Sequence, residues 1–192
     1  DFNAIFDLGC GDGFFLSLID KKFKDKKIFG SDLSKIALME TKKRFNNKKI
    51  KLLNSNANNV KKWSKWIMKN HDTNKNDIII SMWFIIHEIS KKDTGLIIKF
   101  FKNLKSLIPN AKILLGEIVE PDFNILNNNR LNTIMPEYLF FHQLSGQGVF
   151  NLLELKYIIN KIPYRIIKRI NIDEISYKNK KNPSGIVWFL EP

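Results

Sequence analysis

The chain has 192 residues, 44% of them hydrophobic, which suits one α/β domain with a full core. No apolar run approaches the roughly 20 residues that a transmembrane helix needs, so we expect no membrane partner. The only cysteine, Cys10, excludes an internal disulfide, and a chain of this kind is expected in a reducing cytoplasm.

The net charge of +13 raises the question of a polyanionic partner. The lysines occur in pairs scattered along the chain, mainly in predicted loops and on the polar sides of predicted helices, and arginines are few. Bidentate phosphate recognition favours arginine. This distribution therefore indicates solvated faces, and we expect a partner other than nucleic acid.

Apolar runs alternate with helical patterns, which predicts a doubly wound, mostly parallel sheet with helices on both faces. The runs are almost continuously Ile, Leu, Phe and Val, which is typical of strands covered on both sides. The predicted strands are 3–7, 27–32, 49–54, 77–82, 112–118, 164–172 and 185–190. The predicted helices are 13–23, 34–45, 60–69, 94–107 and 151–162.

These elements are assigned to a single domain over residues 1–192. Segment 121–149 has no strong helix or strand signal except around 135–141. Because so long a connection inside a compact domain is usually functional, we expect it to be a substrate-side insertion. The residues between the last two predicted strands, 178–184, are expected to form a loop.

Three glycines follow the first predicted strand within the sequence IFDLGCGDG. Asp7 closes the strand, and Gly9, Gly11 and Gly13 form a turn with little side-chain bulk before the first helix. Glycine alone tolerates the backbone dihedrals of such a turn, and a ligand can approach its main chain closely. Asp32 ends the second strand, nineteen positions after Gly13, where a carboxylate can accept hydrogen bonds from ribose hydroxyls.

The turn and Asp32 together resemble the class I S-adenosylmethionine-dependent methyltransferases. The resemblance implies a Rossmann-like sheet of seven strands with an antiparallel terminal strand, and S-adenosyl-L-methionine as the cofactor. Helices or a dimerisation domain usually precede the first strand in this family. Because the chain opens without Met on that strand, we expect a fragment, and a homodimer formed through the missing N-terminal region.

The same resemblance assigns cofactor contacts. The main chain at the glycine turn would meet the methionine moiety, Asp32 would bind the ribose, and Leu33 would flank the adenine. Asn56 resembles the contact to the adenine amine, although an ordinary turn residue explains it equally well. The predicted cofactor set is Asp7, Gly9, Gly11, Gly13, Asp32, Leu33, Asn56, Ala57, Ser81 and Met82, with Trp83 as a cover.

Two short phrases mark the acceptor side. His87 and Glu88 follow the fourth strand, and His142 opens the phrase HQLSGQ after the fifth. Both phrases resemble the α-keto acid C-methyltransferases. That resemblance implies a small 2-oxo acid as substrate and a divalent metal such as iron, held by His87 and His142 with Glu88 behind them. A bound cation would stabilise the enolate of the acceptor.

Other functions stay open from the residues alone. The base that removes a proton from the acceptor could be Glu117, a metal-bound water or a residue outside the chain. His87 or His142 could instead be the general base of a small-molecule O-methyltransferase. The third alternative is a basic RNA-binding methyltransferase or a non-catalytic nucleic-acid binder. No Asn-Pro-Pro-aromatic box follows the fourth strand, which argues against base N-methylation, and His71 is expected at the surface.

Overall fold

Five parallel strands and a terminal antiparallel hairpin form one sheet in the computed structural model, which describes residues 2–46, 50–72, 78–121, 134–177 and 180–192. The strand order is β3-β2-β1-β4-β5-β7-β6, and only the pairings of β7 are antiparallel. The strands are β1 (Ala4–Leu8), β2 (Lys27–Asp32), β3 (Ile50–Asn54), β4 (Ile78–Trp83), β5 (Lys112–Ile118), β6 (Arg165–Tyr177) and β7 (Lys180–Glu191).

Polar caps begin most of the helices. The side chains of Ser34, Asn59 and Asp93 accept hydrogen bonds from the first turns of α2, α3 and α5, and a capping box begins α7. The helices are α1 (Phe14–Lys22), α2 (Lys35–Arg44), α3 (Val60–Asn70), α4 (Ile86–Ser90), α5 (Thr94–Leu107), α6 (Ile134–Leu144) and α7 (Leu152–Lys161).

The side chains of β1 point alternately into two hydrophobic clusters, one on each face of the sheet. Successive strand residues point to opposite faces, so Ile5 packs with Leu16 of α1 and Leu38 of α2. Phe6 points to the other side, where its ring stacks on Trp63 of α3 at 5.4 Å between centroids. This second cluster also takes apolar residues from α5 and α7. Helices therefore cover both faces of the sheet, which confirms the predicted fold class.

The sheet order places a binding crevice at the carboxyl end of β1. The chain crosses from β1 to β2 on one side and returns to β4 on the other, so β1 lies at the point where the strand order reverses. Its parallel neighbours end level with it, since Leu8 pairs with Ser31 and Met82. Ligands of open α/β sheets bind outside the strand ends at such a point.

The structure departs from the predicted elements in three places. Residues 86–90 and 134–144 are helical, β6 continues past its predicted end at 172 to Tyr177, and β7 begins at Lys180, inside the predicted loop 178–184. Antiparallel pairing supplies main-chain hydrogen bonds whatever the side-chain polarity, so these Lys- and Asn-rich residues join the ladder. Of the predicted insertion, residues 122–133 lie outside the described part, as do the predicted strand starts at 49 and 77.

His71 is a further correction, because the predicted surface residue is buried at 6% exposure. It ends α3, where its N–H donates to the carbonyl of Ile67, and its ring lies 6.3 Å from that of Phe29. The residues next to His71 in sequence are polar, so the local pattern did not predict that its ring would be buried. Within the described residues, no helix combines the length and hydrophobicity needed to cross a membrane. The single domain and the homodimer stay predictions.

Candidate cofactor and acceptor site

The glycine turn adopts the left-handed backbone that its composition predicted. Gly9, Gly11 and Gly13 have φ values of 77°, 54° and 75°. A Cβ atom would overlap Ile85 at Gly9 and would lie 2.5 Å from Thr41 at Gly13, whereas at Gly11 it would meet nothing within 4 Å. Two of the glycines are thus required by packing and by φ, and Gly11 by φ alone.

Asp32 is held rigidly beside this turn. Its Oδ2 accepts a hydrogen bond of 2.9 Å from the N–H of Gly11, and its Oδ1 accepts one of 2.8 Å from the N–H of Ser34. Asn54 donates its amide to the carbonyls of Asp32 and Leu33, which fixes the end of β2. A carboxylate has about four acceptor positions, so Asp32 retains capacity for ribose hydroxyls.

Asp7 lies beneath the turn. Its side chain is 2% exposed, and its Oδ1 accepts a hydrogen bond of 2.6 Å from the hydroxyl of Ser81. Burial raises the pKa of Asp7 to about 7, the Ser81 hydrogen bond lowers it, and the charge of Asp32 raises it further. Asp7 therefore links the end of β1 to β4 beneath the turn.

Cys10 is buried in the same turn. A Cβ atom at Gly30 would lie 2.9 Å from its sulfur, so the thiol fills the space over β2 that glycine leaves. Burial, followed by the charges of Asp7 and Asp32, raises the pKa of Cys10 to about 12. The thiol stays protonated at neutral pH and serves as packing, because the thiolate is the nucleophilic form.

A cavity of about 380 Å³ opens above the strand ends, within the usual size range of small-molecule sites. It reaches from Gly9 and Asp32 to a wall of Trp83, Phe84 and Ile85. Its remaining lining consists of Leu33, Ser55, Asn56, Ala57, Asn58, Glu88, Ile89 and Gln147. The cavity thus has a carboxylate at one side and an apolar wall at the other.

A second group of polar residues lies beyond this wall. Nδ1 of His87 lies 2.9 Å from Oε1 of Glu117, which also accepts the N–H of Ile118 at 3.0 Å. His87 and Glu117 are each 1% exposed, and Oε2 of Glu117 is buried with no hydrogen-bond partner among the described residues. A carboxylate at Nδ1 keeps the proton on that nitrogen, so the lone pair of neutral His87 lies on Nε2.

His142 and Tyr138 of α6 cover His87. The rings of His87 and His142 are 4.9 Å apart, and Nδ1 of His142 bonds to the carbonyl of Tyr138 at 2.7 Å. The Tyr138 hydroxyl lies 3.5 Å from Nε2 of His87. Burial, with smaller contributions from the charges of Glu117 and Glu88, raises the pKa of Tyr138, so it stays a neutral phenol. Both imidazoles therefore have Nδ1 engaged, and Nε2 of His87 can accept a hydrogen bond from the Tyr138 hydroxyl.

A second cavity, of about 170 Å³, adjoins the first. Gln147 lines both cavities. The other residues around the second one include His142, Lys92 and Glu120. A ligand in the second cavity would therefore contact the exposed side of the histidine cluster and lie next to the first cavity.

A sequence profile of a family described as "Methyltransferase domain" matches residues 5–106. The chain belongs to this family. The match covers the glycine turn, Asp32 and His87, so these residues lie in the family's common region. The protein is accordingly an S-adenosylmethionine-dependent methyltransferase. The resemblance inferred from the sequence is confirmed at this level, and with it the cofactor.

Solved methyltransferase structures share the fold. The methyltransferase domain of bacterial CtHen1 matches with a TM-score of 0.62 and 18% identity, over 99% of this chain and 90% of that one. The mycolic acid cyclopropane synthase CmaA1, solved with SAH and CTAB, matches at 0.60 and 14%, over 88% and 57%. An O-methyltransferase family 2 protein from Planctomyces limnophilus, complexed with apigenin, matches at 0.61 and 12%, over 98% and 50%.

These likenesses establish the fold. The methyltransferase spans only half to three-fifths of the last two proteins, which extend beyond the shared part. The comparison with curated proteins found no match.

Five of the ten predicted cofactor residues line the first cavity of the methyltransferase. These five are Gly9, Asp32, Leu33, Asn56 and Ala57. Asn56 also accepts a hydrogen bond of 2.8 Å from the N–H of Asn58, so its oxygen makes the turn that the alternative interpretation foresaw.

The other predicted cofactor residues of the methyltransferase lie outside that lining. Ser81 and Met82 are fully buried and Asp7 almost so, beneath the cavity, because parallel pairing of β1 and β4 encloses them. Gly11 and Gly13 shape the turn around it. Trp83, predicted as a cover, lies in the wall of the cavity, where its ring packs over Gly116 and its centroid is 5.1 Å from that of Phe15.

The methyltransferase brings together the three residues predicted for catalysis. The rings of His87 and His142 lie close together, and Glu117 contacts Nδ1 of His87, where it can orient the imidazole. Its role as the base stays a prediction. Tyr138, Gln147 and Lys92 were not predicted as site residues from the sequence. Gln147 lies in the phrase HQLSGQ, which was a usable signal, whereas no local pattern marks Tyr138 or Lys92.

Proposed function

We propose that this methyltransferase acts on a small 2-oxo acid and transfers the methyl group to carbon 3. The pair of imidazoles supports the proposal: the ring centroids of His87 and His142 lie 4.9 Å apart beside the first cavity, and each ring has Nδ1 engaged. Nε2 of His87 faces the Tyr138 hydroxyl at 3.5 Å. Two cavities that share Gln147 provide neighbouring places for a donor and a small acceptor.

The first cavity would hold S-adenosylmethionine as its lining suggests. Asp32 would accept hydrogen bonds from the ribose, and the main chain at Gly9 would approach the methionine moiety. Leu33, Asn56 and Ala57 would surround the adenine. Gly11 and Gly13 would shape the turn around the cofactor. The buried strand residues would support it from below, namely Asp7, Ser81 and Met82. The wall of Trp83, Phe84 and Ile85 would exclude water from the sulfonium.

The donor set at the histidine cluster fits a divalent metal such as iron. Imidazole nitrogen is an ordinary iron ligand, and a carboxylate bonded to Nδ1, as Glu117 is to His87, commonly orients a metal-binding histidine. His87 and His142 would hold the ion through Nε2; no group of three His, Cys, Asp or Glu suited to a metal occurs among the described residues. When bound, the metal would supply the Lewis acidity that stabilises an enolate.

The side chains themselves would perform the remaining tasks. Glu117 would keep the proton of His87 on Nδ1, and the 2-oxo acid would enter beside His142. The Tyr138 hydroxyl covers Nε2 of His87 at 3.5 Å, so acceptor binding would require this phenol to shift. Carbon 3 would give its proton to a water molecule in the second cavity, and the resulting enolate would attack the methyl carbon of the sulfonium, whose C–S bond breaks to leave S-adenosylhomocysteine.

A second candidate function follows from the Glu117–His87 pair alone. A histidine whose Nδ1 is fixed by a buried carboxylate is a suitable general base. In a small-molecule O-methyltransferase, Nε2 of His87 would take the hydroxyl proton as the oxygen attacks the methyl group, and Glu117 would stabilise the imidazolium. The broad distribution of lysines gives no comparable support to an RNA acceptor.

Product analysis with ¹³C-methyl S-adenosylmethionine tests the two functions. We expect incubation with phenylpyruvate to give a new methyl signal on carbon, whereas a methyl signal on oxygen would favour the second function. Metal analysis of the purified protein provides an independent test. We expect the double variant His87→Ala, His142→Ala to lose bound iron while the surface variant Lys22→Gln keeps it; equal metal content in all three proteins would reject the metal site.

A further inference from the structure

Two consecutive lysines after α4 have an unusual backbone. Lys91 has φ 47° and Lys92 has φ 71°, a conformation that side chains other than glycine rarely adopt. Lys91 ends the helix, and its N–H donates to the carbonyl of His87. Such strain persists where the surrounding structure holds it, and it concentrates at functional sites. The loop thus ties the placement of Lys92 to the helix that carries His87.

The side chain of Lys92 lies along the second cavity. Its stem packs on Gly148, where an added Cβ would lie 2.5 Å from the Cβ of Lys92 and 2.8 Å from its Cδ. Its Nζ lies 3.0 Å from Oε2 of Glu120, and these two side chains are 40% and 38% exposed. His142 and Gln147 line the same cavity. An ammonium group therefore lies at the edge of the space next to the imidazole cluster.

The pairing with Glu120 leaves the ammonium with binding capacity. Lysine has three N–H donors, and the bond to Glu120 uses one of them. The backbone of Glu120 is itself anchored, because its N–H donates to the carbonyl of Phe150 at 2.8 Å. Among the described residues that line this cavity, Lys92 is the one that carries a permanent positive charge. Glu120 orients it, and an incoming anion can share it.

We propose that Lys92 binds the carboxylate of the methyl acceptor and thereby selects acidic acceptors. The inference rests on the proposed function only in placing the acceptor in the second cavity. Lys92 does not line the cofactor cavity, so the carboxylate that it binds is not that of the methionine moiety. Gly148 contributes to this carboxylate site, because a side chain at that position would displace the stem of Lys92.

Calorimetric titration in the presence of saturating S-adenosylhomocysteine tests this assignment. The probes are phenylpyruvate, 3-phenylpropanoate and the methyl ester of each. We expect the wild-type protein to bind each acid about tenfold more tightly than its ester, as one charge-assisted hydrogen bond allows. The ratio should fall to about one in Lys92→Gln and stay high in Lys92→Arg and in the control Lys22→Gln.

Gly148→Ala gives a second test that keeps the charge. It should lower the acid-to-ester ratio, because the lysine stem is displaced while the ammonium remains. An unchanged ratio in Lys92→Gln, or binding of neither acid, would overturn the inference. Weaker S-adenosylhomocysteine binding by Lys92→Gln would also overturn it, by assigning the lysine to the cofactor. Lys92-dependent binding of both acids without methylation of phenylpyruvate would reject the 2-oxo acid function and leave the carboxylate site standing.

Discussion

Nδ1 of His87 and Oε1 of Glu117 lie 2.9 Å apart, and both side chains are withdrawn from solvent. The carboxylate comes from the end of β5 and the imidazole from α4, and the two residues are 30 positions apart in sequence. In either proposed function the carboxylate acts through the imidazole, by fixing which nitrogen carries the proton.

The first prediction concerns this pair. Glu117→Gln keeps the shape of the side chain but removes its charge, so Nδ1 of His87 loses its anionic partner. We expect kcat to fall about 10- to 100-fold, as is typical when an orienting carboxylate is removed. Affinity for S-adenosylhomocysteine should not change, because Glu117 does not line that cavity. Turnover at the wild-type rate would show that the carboxylate has no orienting role.

The second prediction concerns the ribose contact. Asp32→Ala removes a carboxylate that lines the cofactor cavity and holds the N–H of Gly11. Because hydrogen bonds to a charged group contribute about 1.5–3 kcal/mol, the Kd for S-adenosylhomocysteine should rise about 10- to 100-fold in a titration. The exposed Asp25→Ala serves as the matched control. Equal affinities in the two variants would remove Asp32 from the site.

The third prediction is a pH dependence of stability at Asp7. Its carboxyl loses a proton near 3.8 when the chain is unfolded and near 7 when it is folded. Between these values the folded state binds the extra proton, so raising the pH removes stability, by about 1.4 kcal/mol per unit. The contribution is fully present below about pH 4 and lost above about pH 7.

Urea unfolding at a series of pH values checks this effect. Asp7→Asn keeps the size of the side chain and cannot ionise there. We expect the free energy of unfolding of the wild-type protein, relative to that of Asp7→Asn, to decrease steadily from pH 4.5 to pH 7. A difference that stays constant over this interval would mean that Asp7 ionises in the folded protein as it does in the unfolded chain.

The fourth prediction compares two glycines of the turn. Gly11→Ala meets open space, so its cost comes from the left-handed backbone alone, about 1–2 kcal/mol. Gly13→Ala has the same backbone cost and a new contact with Thr41, which is fully buried and cannot move away easily. Thermal unfolding should therefore show a lower Tm for Gly13→Ala than for Gly11→Ala. The reverse order would contradict the described packing.

Local features explain why the cofactor half was predictable. The glycines, the apolar run before them and Asp32 at the end of the next strand lie within one β-turn-α-β unit, whose geometry depends on neighbours in the chain. The acceptor half was only partly predictable. His87 and His142 stood out as short phrases, but the five-residue helix α4 is too short to show a period, and burial of Glu117 depends on how β5 packs.

The amino-acid order alone determined the alternating architecture, the glycine turn and the carboxylate beside it, since each follows from dihedral limits and apolar periodicity over a few residues. Tertiary structure decided what no short segment carries. It placed Glu117 behind His87, Lys92 on Gly148 and His71 in the core, because these contacts join distant parts of the chain and exist only after the sheet has brought them together.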